Sequence, residues 1–169
     1  AEHKQTLGLI WIDAHMDSHT MESSETKNIH GMPLAALLGH GHPELTSIAT
    51  DKAKLQPENV FLIGCRSYEP AEAALLKQLG VRVYLMPEIK DRGLKTIFNE
   101  VLTQLTAQTD VFGISIDLDA IDPQDAPAIS TPAEDGIKAD EFLQALPIFT
   151  ASSKLVGSEL VEFLPEKDI

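Results

Sequence analysis

The segment VFGISIDLDAIDP, residues 111–123, changes without a break from an apolar pattern into three aspartates, Asp117, Asp119 and Asp122. Its Val, Ile and Phe residues favour a buried β-strand, which is predicted over residues 111–119. An ionised carboxylate removed from water costs several kcal/mol unless a cation or hydrogen bonds compensate it. No Lys or Arg lies within the segment. The segment therefore predicts a core strand whose carboxyl end requires a cationic partner.

Four other apolar segments also have the composition of strands. The five predicted strands are residues 6–13, 59–65, 81–86, 111–119 and 154–163. Most are rich in Val, Ile and Leu and lack clean alternation with polar residues, which is typical of strands covered on both faces of a parallel sheet.

Helical patterns occupy the segments between these strands. The predicted helices are residues 70–79, 93–106 and 140–146, with one or two further turns at residues 33–39 and 43–50. Pro70 suits a first helical turn and Gly80 a helix end, while Asp140 is the predicted N-cap of a helix that Pro147 limits. Strands alternating with helices predict an α/β fold, a three-layer α/β/α sandwich, in a single domain over residues 1–169.

The charge balance and the cysteine count restrict the class of protein. The chain has 26 acidic and 13 basic residues and a formal net charge of -13. Nucleic-acid binders need clustered Lys and Arg, so a nucleic-acid partner is excluded, and a bound cation or cationic substrate fits better. No apolar run approaches the ~20 residues that span a bilayer, and the N-terminus lacks a signal-peptide pattern. With Cys65 as the single cysteine, these features predict a cytoplasmic protein.

Two motifs place metal-binding side chains at strand ends. The first predicted strand ends in WIDAHMD, where Asp13, His15 and Asp17 are spaced by two residues, and Asp117 and Asp119 repeat this spacing after the fourth strand. The carboxyl ends of parallel strands lie along one edge of a sheet, so the two motifs converge if their strands are neighbours. An isolated D-x-D is usually a turn or a helix cap, but both motifs together predict a divalent-metal site.

The ligand types narrow the choice of metal. Carboxylate oxygen with some imidazole and no thiolate favours Mn²⁺ and leaves Zn²⁺, Fe²⁺ and Co²⁺ open. Four carboxylates exceed the need of one ion, which favours a carboxylate-bridged pair about 3.5–4 Å apart.

Three motifs carry a resemblance to a known family. DAHMD at 13–17, NIHGMP at 28–33 and SIDLDAIDP at 115–123 resemble the signature stretches of the ureohydrolases, the arginase and agmatinase family of binuclear manganese enzymes. NIHGMPLAALLG resembles the arginase form of the second motif. The resemblance implies a sheet of order 5-4-1-2-3, and hydrolysis of L-arginine to L-ornithine and urea by a hydroxide that bridges two Mn²⁺ ions.

The resemblance also implies a metal-ligand set. Asp13 and Asp117 would each bridge both ions, His15 and Asp119 would complete one metal site, and Asp17 would belong to the other. Asp119 would additionally accept a proton during catalysis.

Further positions match substrate-handling residues of the family. His30 matches a histidine proposed to pass protons to the leaving amine, and Glu162 matches a glutamate that pairs with the guanidinium. The other implied substrate-binding residues are His19, Thr26, Asn28, Glu69 and Thr131. Asp122 is expected to support its loop rather than bind metal.

Two departures from the family pattern leave alternatives open. His19 stands where arginases usually have an asparagine that contacts the substrate α-carboxylate, and Glu69 stands where an aspartate commonly meets the α-amino group. Another ureohydrolase, acting on agmatine, guanidinobutyrate or formiminoglutamate, is therefore one alternative. A non-catalytic α/β module that keeps the ligand residues is another.

Part of the family pattern lies beyond the ends of the sequence. Family members have earlier α/β units with a GGDH motif, whose histidine is a sixth metal ligand, and a final helix after the last strand. The resemblance therefore implies a C-terminal fragment with one incomplete metal site and an exposed edge at the fifth strand. For the 169-residue chain alone we expect weak or absent urea release with Mn²⁺. Family members form trimers or hexamers, so a homo-oligomer is compatible with the resemblance but not fixed by it.

Overall fold

The computed structural model describes residues 5–168 and contains one parallel five-stranded sheet. Residues 1–4 and 169, the ends of the predicted domain, lie outside this range. The strands are β1 (Leu7–Ile12), β2 (Val60–Cys65), β3 (Arg82–Leu85), β4 (Val111–Asp117) and β5 (Leu155–Val161). Their order is β3-β2-β1-β4-β5, which, read in the opposite direction, confirms the order 5-4-1-2-3 that the resemblance implies.

The α-helices lie between these strands. They are α1 (Pro33–Leu37), α2 (Pro43–Thr46), α3 (Pro70–Leu79), α4 (Met86–Arg92), α5 (Leu94–Gln108), α6 (Ala139–Ala145) and α7 (Pro147–Thr150). None of these helices is both long and apolar enough to cross a membrane.

Alternate side chains of the central strands enter two separate cores. On one face, Ile10 and Ile12 of β1 pack with the apolar stripe of α5 and with residues of α4, α6 and α7. On the other face, Trp11 packs with Leu34 of α1 and Leu76 of α3. Because successive side chains of a strand point to opposite faces, a continuous apolar run fills both cores. The three-layer arrangement predicted from the sequence is therefore confirmed.

Three local predictions need correction. Residue 86 begins α4 rather than ending a strand, because Pro87 occupies the first helical turn, where a missing N–H costs nothing. Asp140 is not the N-cap of α6, since the helix begins at Ala139 with Lys138 as N-cap, although its charge still suits the first turn. Pro147 does not simply end a helix but starts α7.

The edge strand β5 departs from the pattern of a covered strand. Five of its seven residues are exposed, and Val156 and Leu160 keep 63% and 61% of their surface accessible. An edge strand with apolar side chains and unpaired backbone groups favours association with another chain or segment. The expected exposed edge is thus present, whereas two-sided burial holds for β1, β2 and β4.

The reversal of winding positions the candidate site. β1 and β4 are neighbours, with Ile12 beside Ile116, and successive strands run outward from this pair in opposite directions. In open α/β sheets, ligands bind beyond the carboxyl ends of strands at such a reversal. Both aspartate motifs begin at this point.

Candidate active site

The turn after β1 fixes Asp13 at the bottom of the site. Its backbone N–H donates to the carbonyl of Ile63 at 3.0 Å, and its side chain is 1% exposed. One carboxylate oxygen accepts from the His15 N–H at 2.6 Å and the other from the Trp11 indole at 2.8 Å. Asp13 is therefore held in one orientation by its own strand and turn.

The turn after β4 brings the second motif against the first. Asp117 caps a short 3₁₀ helix by accepting from the Asp119 N–H at 2.9 Å, while Asp119 accepts from the Ala14 N–H at 3.2 Å. His15 Nδ1 lies 3.0 Å from Asp119 Oδ2 and 3.5 Å from Asp13 Oδ1. Ligand atoms of Asp13, His15 and Asp119 all lie within 4.8 Å of one another. The two motifs thus converge.

A left-handed backbone conformation directs Asp17 into the same cleft. Asp17 has φ of 46°, a region that aspartate tolerates better than most residues. Its carbonyl accepts from the N–H groups of Leu34 and Ala35, so the turn also anchors the start of α1. Sequence spacing alone did not reveal this conformation.

Burial and mutual repulsion oppose ionisation of these carboxylates. Burial, followed by repulsion from Asp13, raises the pKa of Asp17 to about 9 and that of Asp117 to about 8. Burial also raises the pKa of Asp13. The negative charge of these carboxylates is therefore not fully compensated when only protein groups are considered.

His15 is the group that partly compensates this negative charge. Burial opposes its protonation, yet hydrogen bonds to Asp119 and Asp13 raise its pKa to about 10. Burial alone would raise the pKa of Asp119, but the hydrogen bond from His15 leads a set of contacts that lower it. A proton on His15 therefore supplies positive charge at the place where a metal ion would bind.

Two basic side chains lie closer to the acidic segment than the sequence indicated. Lys138 Nζ lies 3.0 Å from Asp122 Oδ2, and Arg66 donates to the Asp119 carbonyl at 2.7 Å. The N–H of Gln124 and then Lys138 lower the pKa of Asp122, as expected of a carboxylate that supports its loop. Within residues 5–168, neither base pairs with the Asp117 or Asp119 carboxylate.

The donor set fits a divalent metal. Four aspartates and one imidazole offer mainly hard oxygen donors, which suit Mn²⁺ better than soft thiolate donors do. Cys65 does not add a thiolate, because its buried Sγ donates to the His15 carbonyl and burial raises the pKa of the thiol. Raised pKa values are expected for metal-binding carboxylates when the positive charge of the bound cation is not included.

A cleft of about 310 Å³ opens above the aspartate cluster and His15. Every site residue predicted from the sequence except the buried Asp13 lines it. The lining residues are His15, Asp17, His19, Ser24, Glu25, Thr26, Asn28, His30, Gly31, Glu69, Glu72, Asp117, Asp119, Thr131 and Glu162. None of these described residues is Lys or Arg, so the cleft favours cations.

One wall of the cleft joins His19 to two glutamates. His19 Nε2 lies 2.9 Å from Glu69 and 3.4 Å from Glu72, and the Ser18 N–H donates to Glu72 at 3.2 Å. Sequence reasoning missed Glu72, although its place three residues after Glu69 at a helix start is the spacing of a capping box. The Glu69 N–H does donate to Glu72, at 3.0 Å.

Adjacent hydroxyls orient two further carboxylates. Thr131 Oγ1 donates to Asp119 Oδ2 at 3.0 Å, and Ser130 Oγ donates to Glu162. Glu162 has φ of 61° just after β5, an uncommon conformation for glutamate. Ser130, which sequence reasoning also missed, therefore helps to hold a strained residue that faces the cleft.

The remaining predicted residues lie on the exposed segment between β1 and α1. Thr26 and Asn28 precede a short 3₁₀ helix, Ile29–Gly31, which carries His30. Their exposure allows all three side chains to meet a ligand from solvent.

The metal-free protein is expected to lose stability as pH rises from about 5 to about 9. Between the unfolded and folded pKa values of Asp17 and Asp117, the folded state binds more protons, so raising the pH favours unfolding. The raised pKa of His15 acts in the same direction, because its stabilisation is present at low pH and lost towards pH 10.

Thermal unfolding of chelator-treated protein across this range measures the effect. Saturating Mn²⁺ is expected to flatten or reverse the slope, because bound cations compensate ionised ligands. Equal pH slopes with and without Mn²⁺ would contradict the interpretation.

Comparisons with known proteins agree with this geometry. The model of the arginase family matches residues 1–169. Arginase from Bacillus caldovelox is 40% identical over 168 residues, which cover 99% of this chain and 56% of that protein. The chain therefore spans little more than half the length of that relative.

Solved structures of arginases are also similar to this chain. The crystal structure of arginase from Bacillus cereus matches with a TM-score of 0.95 and 36% identity over 99% of this chain and 58% of that one. Entamoeba histolytica arginase in complex with L-ornithine matches with a TM-score of 0.92 and 29% identity, over 99% and 56% of the two chains.

Proposed function

This chain belongs to the arginase family, and we propose that its protein hydrolyses L-arginine to L-ornithine and urea with two Mn²⁺ ions. The observation that carries the proposal is the convergence of Asp13, His15 and Asp119 donor atoms within 4.8 Å, beneath a cleft that Glu162 also lines. The names of the similar proteins support arginine as the substrate.

The resemblance to the family gives the proposed ligand assignment. Asp13 and Asp117 would each hold both ions, His15 and Asp119 would complete one site, and Asp17 would belong to the other. Bound Mn²⁺ would supply Lewis acidity and would lower the pKa of a bound water towards neutrality. Assembly as a homo-oligomer and a cytoplasmic location stay predictions from the sequence.

The side chains of the cleft bind the substrate and move protons. Glu162 pairs with the guanidinium, because a carboxylate matches its planar, charged donors. Asp119 Oδ2, already oriented by Thr131, would accept the proton released when water adds to the guanidinium carbon. His30 donates a proton to the departing amine. Thr26, Asn28 and the His19–Glu69 pair contact the amino-acid end of the substrate.

The His19–Glu69 pair favours a second candidate within the same family. His19 is engaged with two carboxylates, and a substrate carboxylate would meet repulsion from Glu69 and Glu72. A guanidino compound without an α-carboxylate, such as agmatine, would avoid this repulsion.

Product analysis tests both candidates. The purified full-length protein, loaded with Mn²⁺, is expected to release urea and ornithine in equal amounts from L-arginine, to lose this activity with a chelator, and to regain it with Mn²⁺. Urea from agmatine but not from arginine would favour the second candidate, whereas urea from guanidinobutyrate or formamide from formiminoglutamate would indicate another ureohydrolase activity. Tight Mn²⁺ binding without release of product from any of these substrates would contradict the proposed catalytic function.

A further inference from the structure

Arg66 contacts both metal-binding motifs, although it is not among the described residues that line the cleft. It follows β2 directly, and its backbone N–H donates to the carbonyl of Ala14, between Asp13 and His15, at 2.8 Å. Its guanidinium donates to the carbonyl of Asp119 at 2.7 Å. One residue thus joins the turn after β1 to the turn after β4.

The same guanidinium also holds the loop that follows Thr131. Its Nε donates to the Glu134 carbonyl at 2.9 Å and Nη2 to the Ala133 carbonyl at 2.8 Å. Longer contacts reach the carbonyls of Gly64, Ala120 and Ile121. Every one of these acceptors is a backbone carbonyl, so the side chain orders three segments of the backbone.

Arginine suits this position for a physical reason. Its planar guanidinium presents five N–H donors in a fixed arrangement, which lysine cannot reproduce. The carbonyls of residues 119–121 lie at the end of the 3₁₀ helix Leu118–Ala120, where unsatisfied oxygens favour a cation. Without the guanidinium, the carbonyl of the buried Asp119 would lose this donor, which is costly.

Close packing around Gly136 also indicates that the surrounding loop is fitted to the Arg66 guanidinium. A Cβ atom there would lie 2.7 Å from Arg66 Nη2 and 2.5 Å from the Asp122 backbone nitrogen. The loop can therefore close over the guanidinium only with glycine at this position. The backbone of this loop therefore packs directly against the Arg66 guanidinium.

We propose that Arg66 is a positioning residue for the metal centre. By holding the Ala14 carbonyl and the Asp119 carbonyl together, it keeps His15 and the Asp119 carboxylate at the separation that one ion requires. Its hold on residues 133 and 134 keeps Thr131 directed at Asp119. This inference rests on the proposed function, because it assigns Arg66 to the metal site of that reaction.

Mn²⁺ titration of metal-free variants tests the inference. Arg66→Met removes every side-chain donor at similar side-chain length, keeps the backbone N–H that bonds to Ala14, and is expected to weaken Mn²⁺ binding about 10- to 100-fold. Arg66→Lys keeps the charge and part of the bonding, so an intermediate loss is expected. Arg82→Met is the matched control, because it removes another half-buried guanidinium, on β3, and is expected to bind Mn²⁺ as the wild type does.

The outcomes separate this inference from the proposed function. Calorimetry gives the affinity, and electron paramagnetic resonance of bound Mn²⁺ is expected to show altered ligand geometry in both Arg66 variants. A folded Arg66→Met protein with wild-type affinity and spectrum would overturn the inference alone. If Arg66→Met does not fold, wild-type affinity in Arg66→Lys would overturn it equally. A wild-type protein that binds no Mn²⁺ would overturn both the inference and the proposed function.

Discussion

Asp117→Asn is expected to abolish Mn²⁺-dependent urea release while making the metal-free protein more stable. If Asp117 bridges the ions as proposed, its loss removes several kcal/mol of transition-state stabilisation, so kcat is expected to fall about a thousand-fold or more. Asparagine keeps an oxygen to accept from the Asp119 N–H, so the turn after β4 is retained. Stability rises because Asp117 must either stay ionised in a buried cluster that repels it or take up a proton on folding, and asparagine avoids both costs.

Two measurements check this result. Calorimetric titration is expected to show weakened Mn²⁺ binding, and thermal unfolding without metal a higher midpoint than the wild type. Asp91→Asn is the matched control, because Asp91 lies exposed on α4, away from the cleft, and both quantities should stay unchanged. An Mn²⁺ binding curve that Asp117→Asn leaves unaltered would contradict the bridging role.

The expected loss of activity and the expected gain in metal-free stability have the same physical cause. Asp13, Asp17 and Asp117 are gathered where burial and repulsion raise their pKa values, so the fold tolerates them at a cost in stability. The same arrangement favours a divalent cation. The repulsion among these carboxylates destabilises the metal-free protein, and the proposed metal ions would compensate it.

The sequence predicted the parallel strands and the position of both motifs at strand ends from rules that act along the chain, whereas the strand order that makes the motifs converge came from the resemblance to the ureohydrolases. Continuous apolar runs indicate parallel strands, and aspartates at strand ends share one edge of the sheet. The sequence pattern does not reveal α4, because Met86 continues the apolar pattern of β3 and obscures the helix start at Pro87.

Residues that act through distant contacts could not be predicted in the same way. Arg66 bonds to carbonyls more than fifty positions away, and no periodicity in the sequence reports such partners. The left-handed conformations of Asp17 and Glu162 depend on the surrounding structure rather than on local preference. The position of Arg66 directly after β2, at the edge that carries the site, was the available signal.

Glu162→Gln is expected to lower kcat/KM for arginine about 10- to 100-fold while leaving Mn²⁺ affinity close to that of the wild type. A hydrogen bond to a charged group contributes about 1.5–3 kcal/mol, and the substitution removes the charge without changing the side-chain shape. The glutamine oxygen can still accept from Ser130, so the strained turn after β5 should persist. The loss is therefore assigned to the guanidinium partner.

The position of Glu162 supports this assignment. Its charge contributes to the raised pKa of Asp117, after burial, Asp13 and Asp119, so it lies within electrostatic reach of the metal ligands. A residue in an uncommon backbone conformation at a cleft costs about 1–3 kcal/mol, and such strain tends to persist at functional sites. A glutamate needed only for folding would not be expected to adopt it.

Steady-state kinetics with a matched control settle the role of Glu162. Glu166→Gln removes an exposed glutamate from the short helix that follows β5, and its kinetics should match the wild type. If Glu162→Gln instead lowered Mn²⁺ affinity in parallel with kcat/KM, Glu162 would act on the metals rather than on the substrate. If it retained kcat/KM within about twofold, the pairing with the guanidinium would be wrong, because loss of a transition-state contact must appear in that ratio.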